Sequence, residues 1–290
     1  MCRAHPVVPE SVSEKAPGAR ASQFAPPPVN TARMPEPLAL AAAALAALAA
    51  GVINAVAGGG TLVSFPTLVA LGVPAVAANA TNTVALCPGY LAGSWAQREQ
   101  LKPQLAHARS LAVAGGLGGL TGSVALVCTP EHAFRAAVPY LVLLACAMML
   151  AQEPLRRRIV ARRPAAAPEN TDAPPSPALV AAVFAGAVYG GFFGAGLGIM
   201  LLAMLGLFSD APLVNLNALK QALSLVINTI AAVFLSVSGH VEWPYVLAMM
   251  LAAWAGGHIG GRLVQRIPAR TLRIVVVGFG VLVAGRFFWG

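Results

Sequence analysis

Apolar positions in this chain run in long uncharged blocks rather than alternating with polar ones. No Asp, Glu, Lys or Arg occurs from 37 to 97, and further uncharged runs cover 110–130, 136–152, 173–209, 221–241 and 243–261. About 20 consecutive apolar residues suffice for a helix to cross a bilayer. The pattern predicts helices over 38–57, 81–97, 111–127, 134–152, 178–193, 215–238, 244–264 and 271–288. Two apolar pieces are too short for a clean crossing: 61–71, stopped by Gly72 and Pro74, and 199–208. They read as half-helices of broken segments. The fold class that follows is an all-α polytopic integral membrane protein with about 8–10 transmembrane segments.

Both short pieces follow a glycine break. AVAGGGTLV (55–63) carries Gly58, Gly59 and Gly60, and GGFFGAGLGIMLL (190–202) carries Gly194, Gly196 and Gly198. Each glycine costs about 1 kcal/mol relative to alanine in a helix interior, so a break made twice in matching places asks for a reason. An asparagine cluster follows each one, ANATNTV from Ala78 and NLNALK from Asn215; Gly58 precedes Asn82 by 24 residues and Gly194 precedes Asn217 by 23. A second coincidence supports the first. The last glycine of Gly118-Gly119-x-x-Gly122 precedes Pro130 by eight residues, and that of Gly256-Gly257-x-x-Gly260 precedes Pro268 by the same eight. The chain therefore reads as an internal duplication, with a first transmembrane repeat over 37–152 and a second over 178–290.

Charge adds orientation. Arg156, Arg157, Arg158, Arg162 and Arg163 lie in a basic, proline-rich connection over 153–177, which the positive-inside rule assigns to the cytoplasm. The connection holding Arg98, Lys102 and Arg109, and the turn around Arg262, Arg266, Arg270 and Arg273, are assigned to the same side. With five segments per half, the connection after the third segment then faces inward in the first half and outward in the second. That is an inverted repeat with broken helices, the arrangement that places transporter substrates near the midplane. Residues 1–36, with PPP at 26–28 and charges of both signs, read as a disordered tail, and Met34 reads as the true start of translation.

The net charge of +9 arises from these connections and not from a basic stripe with interleaved aromatics, so a lipid bilayer is the expected partner and nucleic acid is not. The four cysteines show no CxxC spacing and read as packing residues, so neither a metal nor another cofactor is expected. No span contains HExxH or paired acids, which argues against an enzyme, and no GxxxxGK[ST] occurs, which argues against ATP as the energy source. A secondary transporter is the reading that remains.

Lys220 is the sharpest candidate residue. It is the one charge between Asp210 and Glu242, about 15 Å into a helix that starts at Asp210, and intramembrane charges mark substrate or ion paths. A helix starting nearer Asn215 would instead let the lysine reach the surface. The breaks, Gly58, Gly59, Gly60 and Thr61 in the first half and Gly194 and Gly196 in the second, expose backbone N–H groups at a half-helix N-terminus, where an anion is favoured. Close packing of helices makes the same demand for glycine. Asn82 and Asn217 offer hydrogen-bonding groups to a substrate or to a neighbouring helix. His258, in AGGHIGG, is the candidate for proton coupling.

These motifs, AGGGTLVSFPTLVALGVP (57–74), ANATNTV, GGFFGAGLGIMLLAML (190–205), NLNALK and SGHVEWP (238–244), occur in an order that resembles the sulfite exporter TauE/SafE family of membrane permeases, over about 38–289. The resemblance implies transport of a small sulfur-containing or organic anion, such as sulfite, sulfoacetate or a related sulfonate, across the cytoplasmic membrane. Family members often carry a lysine after the ATN of the first half. This chain has Thr83 there and keeps only Lys220 in the second half.

Overall fold

A computed structural model describes residues 35–161, 174–209, 211–263 and 269–289, all within one unit of the chain. The expected tail, apart from its last two positions, lies outside the described residues. So do Met34, Asp210, Arg266 and positions 162–173 of the proline-rich connection, with Arg162 and Arg163 among them.

Every described element is helical. The first half holds α1 (Pro37–Val56), the short α2 (Thr61–Ala70), α3 (Ala75–Ala96), the single turn α4 (Arg98–Leu101), α5 (Leu105–Cys128) and α6 (Glu131–Ala161). The second half holds α7 (Pro177–Phe192), the short α8 (Leu197–Phe208), α9 (Leu213–Ser236), α10 (Trp243–Leu263) and α11 (Ala269–Trp289). Among the described residues, the spans Pro37–Val56, Arg98–Cys128, Glu131–Ala151 and Leu213–Ser236 are each long and apolar enough to cross a membrane. Large apolar side chains such as Leu45, Val113, Leu117, Tyr140, Val233, Leu247, Leu251 and Leu282 stand exposed on the outside. A soluble domain of this size would not leave so much apolar surface bare, whereas a bilayer covers it.

Three boundaries depart from the sequence expectation. Helix α3 starts at Ala75 rather than near Thr81, because Glu131 caps it from another helix: its Oε1 accepts from the Ala75 N–H at 2.5 Å and its Oε2 from the Val76 N–H at 3.0 Å. A carboxylate at a helix N-terminus is favoured by the helix dipole as well as by the hydrogen bonds. The connection at 98–104 is not a loop but a turn of α-helix followed by a 3₁₀ turn, Lys102–Gln104. Helix α6 continues past Gln152 to Ala161, so the arginines at 156–158 lie on a helix.

The two halves keep a common register. Helices α3, α5 and α6 start at 75, 105 and 131, and α9, α10 and α11 start at 213, 243 and 269, each pair 138 positions apart. The packing follows the same exchange. Helix α1 lies on α10 as α7 lies on α5; α3 lies on α10 as α9 lies on α5; and α8 touches α6 as α2 touches α11. Helices α3 and α9 cross each other, as do α6 and α11.

Glycines set these crossings. A Cβ on Gly118 would stand 2.5 Å from the Phe184 carbonyl oxygen, and one on Gly122 would overlap the Val188 carbonyl oxygen. In the other half a Cβ on Gly256 would overlap the Leu48 carbonyl oxygen, and one on Gly260 would stand 2.8 Å from the Val52 carbonyl oxygen. Without side chains the backbones touch directly, the means by which helices associate where lipid removes the hydrophobic drive.

Candidate functional site

The two breaks are built alike. At the end of α1 the Gly58 N–H donates to the Ile53 carbonyl at 2.9 Å, and at the end of α7 the Gly194 N–H donates to the Tyr189 carbonyl at 3.3 Å. These bonds close the helix over a residue in left-handed conformation, with φ +79° at Gly58 and +76° at Gly194, which a side chain would resist. One side chain from the preceding helix then fixes each loop. The Asn54 Oδ1 accepts from the Gly60 N–H at 2.7 Å, and the Tyr189 hydroxyl donates to the Ala195 carbonyl at 2.7 Å. Neither α2 nor α8 carries a side-chain cap at its N-terminus.

The breaks also face each other. A Cβ on Gly58 would stand 3.1 Å from the Gly198 Cα and the Ile199 nitrogen at the start of α8, and one on Gly194 would stand 4.0 Å from the Thr61 Oγ1 at the start of α2. Phe65, Phe134, Phe192 and Phe193 pack edge to face beside this junction, with centroid separations from 5.4 to 6.4 Å. Met149 of α6 lies against Gly59, and Met148 against Gly196. The surroundings are apolar.

Lys220 ends at this junction. It is 1% exposed, so it does not reach the surface. Its Cδ would be 3.4 Å from a Cβ on Gly198, and its Nζ donates to the Asn54 carbonyl at 3.4 Å. That carbonyl belongs to the last turn of α1, where a cation complements the helix dipole. Among the described residues the ion pairs join Arg98 and Lys102 to Glu99, and none joins Lys220 to a carboxylate. One ammonium thus lies between the ends of two broken helices with one weak hydrogen bond.

The other expected residues divide between this centre and its supports. Asn82 is the register counterpart of Lys220, 138 positions earlier; it is 1% exposed, and its Oδ1 has no partner. Asn217 donates from Nδ2 to the Gln97 Oε1 at 2.7 Å, which ties α9 to the end of α3. Gly60 has its N–H occupied by Asn54, whereas Thr61 faces the opposite break. His258 stacks on Trp254 at 5.7 Å, on a different face of α10 from the glycines that meet α1 and α3, and the structure does not bring it to Lys220. Thr83 turns back on its own helix, donating to the Asn79 carbonyl at 2.9 Å.

Other residues of the ANATNTV cluster hold neighbouring helices. Asn79 donates to the Phe192 carbonyl at 2.9 Å and so holds the end of α7, and Thr81 accepts from the Glu242 N–H at 2.9 Å ahead of α10. Gln97, Tyr189 and Glu131 belong with them. One pattern was open to reading: Asn217, Lys220, Gln221, Ser224 and Asn228 recur at helical spacing, a polar stripe along α9 that turns toward α3.

These features define a multi-pass helical membrane protein with a buried lysine between two broken helices. Residues 43–287 match the family model described as sulfite exporter TauE/SafE, and the chain belongs to that family. It is 24% identical over 260 residues to the probable membrane transporter protein YfcA of Escherichia coli K12, covering 90% of this chain and 93% of the relative. It is 33% identical over 106 residues to the probable membrane transporter protein YunE of Bacillus subtilis, covering 35% of this chain and 38% of that protein. No solved structure matches significantly. The protein is a membrane transporter.

Proposed function

We propose that this transporter is a secondary active permease of the cytoplasmic membrane that moves a small sulfur-containing or organic anion, such as sulfite or a sulfonate, by alternating access. The observation that carries the reading is Lys220: buried, without a carboxylate partner, and set where the two breaks meet. A lysine at membrane depth costs at least about 2.5 kcal/mol, and an anion binding beside it offsets that cost. The half-helix N-termini at Gly58–Thr61 and Gly194–Gly198 add dipoles of the same sign without further charged side chains. The common register of the halves and their exchanged contacts support two inverted repeats, one over 37–152 and one over 178–290, joined by the basic segment on the cytoplasmic side. Rocking one repeat against the other would open the site to each side in turn. The test is uptake of radiolabelled sulfite into proteoliposomes, with and without an imposed pH gradient. Lys220→Met lowers the rate at least about tenfold while the protein remains folded, as an interaction of about 1.4 kcal/mol or more requires. Uptake by Lys220→Met at the wild-type rate would falsify the anion-site reading.

A further inference from the structure

Lys220 has a neighbour that the transport reading leaves unused. Gln221 is 1% exposed, and neither its Nε2 nor its Oε1 has a hydrogen-bond partner. Turning the amide over exchanges the two atoms and leaves the same two deficits, so the feature does not depend on which end is nitrogen. The amide lies in the notch that Gly93 leaves on α3: a Cβ there would stand 2.5 Å from Nε2 and 3.6 Å from the Cβ of Ala55. Ala55 follows Asn54, whose carbonyl accepts from Lys220. Two consecutive residues of α9 therefore lie near the same step of α1, Lys220 on the Asn54 carbonyl and the Gln221 amide at the notch that Ala55 also borders. Ser224, one turn further along α9 and also 1% exposed, adds a hydroxyl without a partner.

Resting on the anion-site reading above, we infer that Gln221 contacts the transported anion and selects for one that carries a hydrogen-bond donor of its own. The Nε2 group donates to an oxygen of the anion beside Lys220. The Oε1 accepts an O–H or N–H from the same molecule, a demand that an oxyanion with acceptors alone leaves unmet. The substrate class is then a small oxyanion bearing a hydroxyl, amino or acidic proton. Recognition of such a group discriminates strongly because its absence leaves a buried site atom unpaired.

The experiment measures binding of a matched pair of probes, 2-hydroxyethanesulfonate and ethanesulfonate, to the purified full chain in lipid nanodiscs by titration calorimetry. The wild type binds the hydroxylated anion about tenfold more tightly, the order expected for one buried hydrogen bond. Gln221→Leu brings the ratio to about one while both anions still bind, and Lys220→Met abolishes binding of both. Gly93→Ala, which pushes a methyl group against the Gln221 amide without contacting Lys220, removes the preference in the same way and serves where Gln221→Leu fails to fold. Equal binding of the two probes by the wild type, or an undiminished preference in a folded Gln221→Leu or Gly93→Ala variant, overturns the role of Gln221 and leaves the anion site standing. Failure of the wild type to bind either probe, together with sulfite uptake that does not depend on Lys220, overturns the anion site itself.

Discussion

At the scale of single residues, the centre depends on polar groups that hold backbone rather than substrate. Asn54 is the clearest case, since its side chain accepts from Gly60 while its own carbonyl accepts from Lys220. Asn54→Ala leaves a buried N–H orphaned at the break, a loss of about 1–3 kcal/mol. The expected outcome is a lower unfolding midpoint in detergent, and an unchanged midpoint would show that the Gly60 bond contributes nothing. Lys220 was legible in the sequence because a charge inside an apolar run stands out in any window. Gln221 was legible only as one member of a polar stripe, because a glutamine on a helix is ordinary until its surroundings are known. Only the packing of α3 shows that both ends of that amide lack partners. Asn217 shows the converse, a polar residue that the sequence offers to a substrate and the fold gives to Gln97.

At the scale of elements, glycine serves two separate purposes. At Gly58 and Gly194 it permits the left-handed conformation that ends a helix, whereas at Gly122 and Gly257 it lets one backbone lie on another. Gly257→Ala would drive a methyl group into the Gly89 carbonyl oxygen of α3, so the α3–α10 crossing has to separate. Gly278, in α11, has open space where a methyl group would stand, with nothing within 4 Å. Gly278→Ala is expected to stabilise slightly, by up to about 1 kcal/mol, through helix propensity alone. Size-exclusion profiles and unfolding midpoints of the two variants should therefore move in opposite directions; equal behaviour would remove the packing argument. The short helices α2 and α8 were legible from length, since Gly72 and Pro74 stop one and the breaks precede both. The early start of α3 was not, because its cap, Glu131, comes from a helix 55 residues further on.

At the scale of the whole molecule, the inverted-repeat proposal assigns faces to connections. The turn at Arg98–Leu101 and the end of α6 near Ala161 belong on the cytoplasmic side, with the α9–α10 turn at Gly239 opposite. Single cysteines at positions 99 and 240, in a background with the four native cysteines replaced by serine, test this with a membrane-impermeant maleimide on intact cells. Position 240 is expected to react from outside and position 99 only after the membrane is opened. Reaction of both from the same side would exclude the arrangement.

The sequence by itself determined that the chain is helical and membrane-embedded, where most helices lie, and where two of them break. Those are properties of composition and local spacing, which hydropathy and glycine placement express within a window of about 20 residues. It also carried the family resemblance, because the motifs survive in order along the chain. The tertiary structure decided what meets what. It set the break after α1 against the start of α8, brought Lys220 to the carbonyl of Asn54, kept His258 on another face and left Gln221 without a partner. The contacts that bring the two breaks and Lys220 together join residues more than a hundred positions apart. Burial and hydrogen bonding there are fixed by helices crossing in space, and no local pattern records which carbonyl a lysine will find.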